Sequence, residues 1–317
     1  MKIAVTGGTG FIGRHLAAEL RARGHDVVLI ARVRPGHDPE HGGGPGQVRI
    51  AAVDISDRTA LGEALAGCET VAHCAGINRQ IGHQTYDVVH IDGTRNVVKA
   101  ARQAGVSRIT MISFLRARPR CGSHYHESKW AAEEIVRNSS LEYTILKPGM
   151  TYGRGDHMLD HLSHAIFTVP LFLGVGFRER PIRPLAVDDL VRVMVASLVD
   201  GRLPRKTAAV VGPETLTISQ AARRVANSLH RPLLVLPAPV LVHYVIAWKA
   251  ERMMRVPIES IAQVRILAEG VEPAYAPDPL PVDLQPVTPF DEASIRAGLP
   301  DPGPFGLRDL RLCPRSS

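Results

Sequence analysis

Residues 6–13 read TGGTGFIG. Gly7, Gly10 and Gly13 stand three apart, directly after an apolar run (KIAVT, 2–6) and directly before a helical pattern. The placement gives the spacing its meaning. A first glycine lets the chain turn sharply off a strand, a second lets backbone approach a pyrophosphate, and a third lets the helix pack closely on the sheet. The helix N-terminus then offers N–H groups to anionic oxygens. Gly7, Thr9, Gly10, Phe11, Ile12 and Gly13 are therefore expected to line a dinucleotide site.

Working outward, the first half alternates two patterns. Apolar strands are expected at 2–6, 26–30, 48–53, 70–73, 109–112 and 143–146, with helices at 13–23, 59–66, 93–104 and 126–138. Strand–helix alternation implies a parallel sheet with helices on both faces, and near-continuous apolar strands fit burial on both sides. The fold class is α/β, a Rossmann-like doubly wound parallel sheet with a smaller C-terminal region. After Lys147 prolines and glycines become frequent, so the expected division is 1–150 for nucleotide binding and 151–317 for substrate.

Composition removes several function classes. Of 317 residues, 45% are hydrophobic and 22% charged, ordinary values for a soluble globular protein. The N-terminal residues have glycines where a signal peptide needs an apolar run, and the four scattered cysteines (Cys68, Cys74, Cys121, Cys313) form no C-x-x-C pair. Reduced thiols and a cytoplasmic location are expected. Residues 233–248 (LLVLPAPVLVHYVIAW) are too short for a span of about 20 residues and are broken by Pro237, Pro239 and His243, so no integral membrane segment is expected. The net charge of +7 suits an anionic partner, yet Lys and Arg are scattered without an aromatic stripe, which excludes a nucleic-acid groove. An H-G-G-G string inside the glycine-rich stretch 37–46 would need a G-x-S-x-G elbow to serve an esterase, and the sequence contains none.

The second strand runs into Arg32-Val33-Arg34, with Asp26 at its opposite end. An acidic residue there would hold the ribose 2′-OH of NAD, whereas arginine suits the 2′-phosphate of NADP. NADP is expected through Arg32, with NAD left open.

Tyr-x-x-x-Lys occurs twice. Tyr143 and Lys147 fall on a strand, where that spacing separates side chains by roughly 13 Å. Tyr125 and Lys129 open a helix rich in Ala and Glu, where i and i+4 share a face about 6 Å apart. A tyrosine working as acid or base near neutrality must lose about 3 units of pKa, roughly 4 kcal/mol. A neighbouring ammonium and a helix N-terminus both push that way. Ser113, at the carboxyl end of the strand ITMI, is expected to orient a substrate carbonyl. The candidate catalytic set is Ser113, Tyr125 and Lys129.

Together these pieces resemble the short-chain dehydrogenase/reductase superfamily in its extended, atypical branch. They are TGGTGFIG, VDISD (53–57), HCAG (73–76), DGTRNVVKAARQAGV (92–106), Ser113 with YHESK, LKPGMTYG (146–153) and RPLAVDDLV (183–191). The closing LQPVTPFDEASI is similar to the subgroup containing the NDUFA-type accessory subunit of respiratory complex I. The resemblance implies Asp54 and Ile55 at the adenine, Ala75 and Gly76 beside the ribose, and Pro148, Gly149 and Met150 against the nicotinamide. It also implies Tyr125 as general acid/base, Lys129 as its pKa partner and ribose ligand, and Ser113 as carbonyl polariser.

Residues 157–164 place His157, His161 and His164 on one helical face, a pattern a metal could use, but the reading needs no metal and none is expected. Residues 239–255 read as a helix with a charged end; docking on a membrane surface or a protein partner is the other reading. The expected activity is NAD(P)-dependent hydride transfer, or nucleotide-sugar epimerisation, on a small-molecule substrate. The alternative is a non-catalytic nucleotide-binding sensor or assembly subunit. Monomer and homodimer both stay open.

Overall fold

A computed structural model describes residues 1–32, 46–254, 259–270, 273, 275–300 and 303–304. Arg34, the H-G-G-G string, Arg255 and Cys313 lie outside the described residues. Among the described residues the strands are β1 (Lys2–Thr6), β2 (Asp26–Ala31), β3 (Val48–Ala52), β4 (Thr70–His73), β5 (Arg108–Ile112), β6 (Glu142–Pro148), β7 (Thr151–Tyr152), β8 (Leu171–Val175), β9 (Leu185–Ala186), β10 (Lys206–Val210) and β11 (Leu234–Ala238). The helices are α1 (Phe11–Ala22), α2 (Arg58–Leu65), α3 (Gly93–Gln103), α4 (His124–Arg137), α5 (His157–Thr168), α6 (Val187–Leu198), α7 (Ile218–Ser228), α8 (Val240–Met253), α9 (Ile261–Glu269) and α10 (Glu292–Gly298).

The chain divides into two compact units. The first comprises Met1–Pro148, Val187–Val210 and Pro273–Gln285. Its seven-stranded sheet runs β10-β6-β5-β4-β1-β2-β3, parallel throughout. The chain builds outward from β1 to β3, then restarts on the other side of β1 with β4. That reversal makes the carboxyl ends of β1 and β4 the topological switch point, where open α/β sheets bind ligands.

β1, β2 and β4 are buried almost throughout because helices cover both faces: Ile3 is fully buried, and Val28, Ile30 and Val71 are buried with Leu61, Leu65, Val97 and Ile109. Local chemistry sets the helix starts. The Asp57 carboxylate accepts from Ala60 N–H to begin α2, and the Ser123 hydroxyl accepts from His126 N–H to begin α4. α4 thus starts at His124, two residues before the expected boundary, and takes Tyr125 into its first turn. α1 likewise starts at Phe11, with Gly13 inside the helix. α6 and β10 complete this unit: Thr110 and Ser197 hydroxyls meet at 2.7 Å, and β10 pairs along β6 from Lys206–Thr144 to Val210–Pro148.

The second unit comprises Gly149–Ala186, Val211–Glu272 and Pro286–Ser317. It holds two small parallel pairs, β7–β9 and β8–β11. α7 and α9 each open on a full capping box, Thr217 with Gln220 and Ser260 with Gln263. Phe290, from the tail motif, is fully buried against Tyr152, whose hydroxyl donates to Pro289 C=O at 2.9 Å.

Candidate active site

The glycine turn closes on itself at the end of β1. Gly7 sits at φ +66°, donates to Ile30 C=O, and accepts from Gly10 N–H, both at 2.9 Å. A Cβ at Gly7 would meet Ala75 N at 2.8 Å, and one at Gly13 would meet Gly7 O at 2.4 Å. Backbone therefore occupies the space side chains would need, the fit a pyrophosphate cradle demands. Thr9 and Gly10 are exposed, Phe11 and Ile12 half-buried, and first-turn N–H groups of a helix lack intrahelical partners. The residues present fit a dinucleotide.

The loop after β4 lies alongside. Cys74 N–H donates to Thr6 C=O at 3.1 Å, and Ala75 N–H to Thr6 Oγ1 at 3.4 Å. On the far side of β2, the Arg32 guanidinium stands 3.7 Å from the Asp54 carboxylate, both half-exposed. Ile55 packs where a Cβ on Gly93 would fall, 2.4 Å from its Cδ1.

Tyr125 and Lys129 share the buried face of α4. The Tyr125 ring is enclosed edge-on by Tyr86, His90 and Phe114, and its hydroxyl donates to Asn78 Oδ1 at 3.4 Å. Burial pushes the phenol above its ordinary range, and the Tyr86 phenol adds to this. Both influences raise it, the opposite of the fall that acid–base work requires. Lys129 Nζ donates to Ile112 C=O at 3.4 Å and lies 3.0 Å from the Cβ position of Gly76. Burial lowers its ammonium to about 8, against the pull of the Glu133 carboxylate. The same burial raises the Cys74 thiol to about 12, so this cysteine stays protonated.

The other expected residues are placed as follows. Ser113 is buried, and its hydroxyl donates to the Glu133 carboxylate rather than to the tyrosine. Glu133 also holds Lys147 Nζ at 3.0 Å and Arg137 Nη2 at 2.6 Å. Tyr143 and Lys147 both lie on β6, and Lys147 serves this buried ion cluster. Pro148 ends β6 in the first unit, while Gly149 and Met150 begin the second. On α5 the rings of His157 and His161 are 5.8 Å apart, and His164 Nδ1 donates to Asp160 C=O. Among the described residues no three metal-ligating side chains converge.

Two buried histidines escaped the sequence reading. Ser128 Oγ donates to Tyr125 C=O, so His90 Nδ1–H must donate to Ser128 Oγ (2.9 Å), which leaves Nε2 to accept from Ile77 N–H at 3.1 Å. Thr94 donates to His90 C=O, so His73 Nε2–H donates to Thr94 Oγ1 (2.9 Å) and His73 Nδ1 accepts from Thr6 Oγ1 (2.7 Å). Each ring then has one donor and one acceptor, the neutral form. Burial, with Lys129 adding, holds His73 down to about 3 and His90 to about 2. The two chains of bonds tie loop 75–77 to β1, α3 and α4. His90 lies in a π-helical turn (Asp87–Asp92) ahead of α3, a distortion common at functional sites.

A glycine cradle at the switch point of a doubly wound sheet, with an adjoining Tyr/Lys helix, is an arrangement that fits a dinucleotide, and the chain shares its fold with solved epimerase and NAD-bound structures. Residues 7–159 match the family model described as NAD(P)H-binding. An uncharacterized protein of Mycobacterium tuberculosis is 30% identical over 275 residues, 87% of this chain and 28% of its own length. The chain thus spans little more than a quarter of that relative. Subunit 9 of the NADH dehydrogenase [ubiquinone] 1 alpha subcomplex of Mus musculus is 26% identical over 88% of this chain and 73% of its own length. A ceramide reductase of Caulobacter vibrioides is 34% identical over 49% of this chain and 47% of its own length. A nucleoside-diphosphate-sugar epimerase from Staphylococcus aureus shares the fold with TM-score 0.72 at 19% identity, covering 93% of this chain and 100% of that one. MoeE5 in complex with UDP-glucose and NAD does so with TM-score 0.64 at 21% identity, over 75% and 85%.

Proposed function

We propose that the chain is an NAD(P)-dependent oxidoreductase or epimerase, with a preference for NADP, in which Tyr125 moves a proton at the substrate oxygen. The observation that carries this reading is the Lys129 ammonium, buried between the tyrosine's helix and the Gly76 loop beside the glycine cradle.

Gly7, Thr9, Gly10, Phe11, Ile12 and Gly13 would hold the pyrophosphate, with Asp54 and Ile55 at the adenine and Arg32 at a 2′-phosphate. Ala75, Gly76 and Lys129 would hold the nicotinamide-side ribose, and Pro148, Gly149 and Met150 the nicotinamide. The dinucleotide, when bound, supplies a hydride acceptor or donor. The protein's part is the proton. Burial leaves Tyr125 a neutral donor, suited to protonating an oxygen that gains charge; the reverse direction needs the Lys129 cation to offset the loss of that proton. Ser113 would orient the carbonyl by turning its hydroxyl away from Glu133.

One observation favours a second reading, a nucleotide-binding subunit without turnover: the Ser113 hydroxyl is already committed to Glu133. The mouse relative, named as a subunit of a larger enzyme, supports it; the ceramide reductase supports turnover. A thermal-shift panel of nucleotides, sugar nucleotides and quinones identifies ligands. Tyr125→Phe then separates the readings. An enzyme keeps cofactor affinity and loses about 100-fold or more in kcat, whereas turnover unchanged by the substitution refutes the proposal.

A further inference from the structure

We infer that α8 is a docking helix for the surface of an anionic lipid bilayer. It is built the wrong way round for a helix packed on a protein core. Its inward side carries His243, Ala247 and Ala250, with His243 bonded to the Glu259 carboxylate at 2.9 Å and to Gly174 C=O at 3.1 Å. Its outward side carries Leu241 (73% exposed), Val245 (49%), Trp248 (47%) and Met253 (57%). Leu241, Val245 and Trp248 fall on one continuous stripe that ends at Arg252, with Met253 beside it. β11, which feeds α8, adds Leu234 and Leu236, also exposed. So large an apolar face marks an interaction surface.

Charge selects the occupant. The charged residues on the exposed side of α8 are Lys249 and Arg252, both cations; Glu251 is half-buried and accepts from Ile261 N–H. The whole chain carries +7. Arg252 stacks on Trp248, its Cζ 3.7 Å from the ring centroid, which places an indole and a guanidinium together at one end of an apolar stripe. Indoles settle at the headgroup level of bilayers, and cations there pair with lipid phosphates. Fourteen residues of helix reach about 21 Å, short of the roughly 30 Å hydrocarbon core, and among the described residues no helix is long and apolar enough to cross. The geometry is that of a helix lying in the interface plane.

The test uses the full chain in co-sedimentation with vesicles of phosphatidylcholine alone and of equal parts phosphatidylcholine and phosphatidylglycerol. The chain is expected to bind the mixed vesicles, to release as salt rises, and to ignore the neutral ones. Lys249→Gln with Arg252→Gln lowers partitioning roughly 25-fold, about fivefold per cation. Leu241→Ser with Trp248→Ser lowers it by about tenfold or more. These side chains are exposed, so both variants keep the wild-type unfolding midpoint. Failure to bind anionic vesicles, or binding that neither variant weakens, overturns the inference. So does a light-scattering mass that drops in the Leu241/Trp248 variant without any lipid binding by wild type, which would assign the face to a second copy.

Discussion

Glu133 is the most informative residue to change. Its side chain is fully buried, and Lys147, 7% exposed, stands 3.0 Å away. At that distance, with an effective dielectric of about 20, the pair attracts by about 5 kcal/mol. The Lys147 ammonium's other bond, to Ala117 C=O, is long at 3.4 Å. Glu133→Gln keeps the volume and can still accept from Ser113, but it strips Lys147 of its counter-ion and, among the described residues, leaves Arg137 paired with Glu134 alone. The expected loss is about 3–5 kcal/mol, the range for an uncompensated buried charge. For a unit of about this size that lowers Tm by roughly 6–20 °C. Urea unfolding gives the free energy directly. The decisive comparison is Glu133→Gln with Lys147→Met, which removes the orphaned cation and should return stability to within about 1 kcal/mol of wild type. A single-variant cost below about 1 kcal/mol, or a double variant no better than the single, refutes the reasoning.

Gly13→Ala should destabilise by about 3 kcal/mol, because its Cβ meets backbone at 2.4 Å. Gly10→Ala, whose Cβ has 3.1 Å to Gly7 O, should change stability by less than about 1 kcal/mol while cutting dinucleotide affinity by about tenfold or more. Urea unfolding checks both stabilities, and calorimetric titration with NADPH checks the affinity. Arg32→Ala should weaken NADPH roughly tenfold and leave NADH unchanged; equal losses for both would exclude a 2′-phosphate contact. His243 is raised above its ordinary value, chiefly by the Glu259 hydrogen bond. Its contribution is therefore complete below about pH 6.5 and fades as pH rises through the higher folded value. The stability gap between wild type and His243→Gln should accordingly be larger at pH 6 than at pH 9, and urea midpoints at the two values check the sign.

Local periodicity made most of the first unit legible. β1, β2 and β4 announce themselves as apolar runs, and TGGTGFIG predicts the turn because each glycine's task depends only on neighbours a few residues away. Tyr125 and Lys129 are legible for the same reason, since helical spacing alone puts them on one face. What stayed hidden depends on pairs distant in sequence. His90 meets Ser128 across 38 positions, and no spacing rule joins VVHID to ESKW. Ser113 reads as a free hydroxyl at a strand end until the fold brings Glu133 from α4 to accept its hydrogen bond. The burial that raises Tyr125 is likewise tertiary, assembled by Tyr86, His90 and Phe114. Nor does composition reveal that α6 and β10 rejoin the first sheet, because an amphipathic helix and a short apolar strand look alike in either unit.

That return has a consequence for synthesis. The chain changes unit after residues 148, 186, 210, 272 and 285, so a ribosome releases the nucleotide-binding half in instalments. Until Lys206–Val210 emerges, β6 presents a bare edge of unpaired N–H and C=O groups, an invitation to strand-swapping. A nascent chain halted near residue 150 is thus a sheet without its last strand, and no single proteolytic cut can part the two halves cleanly.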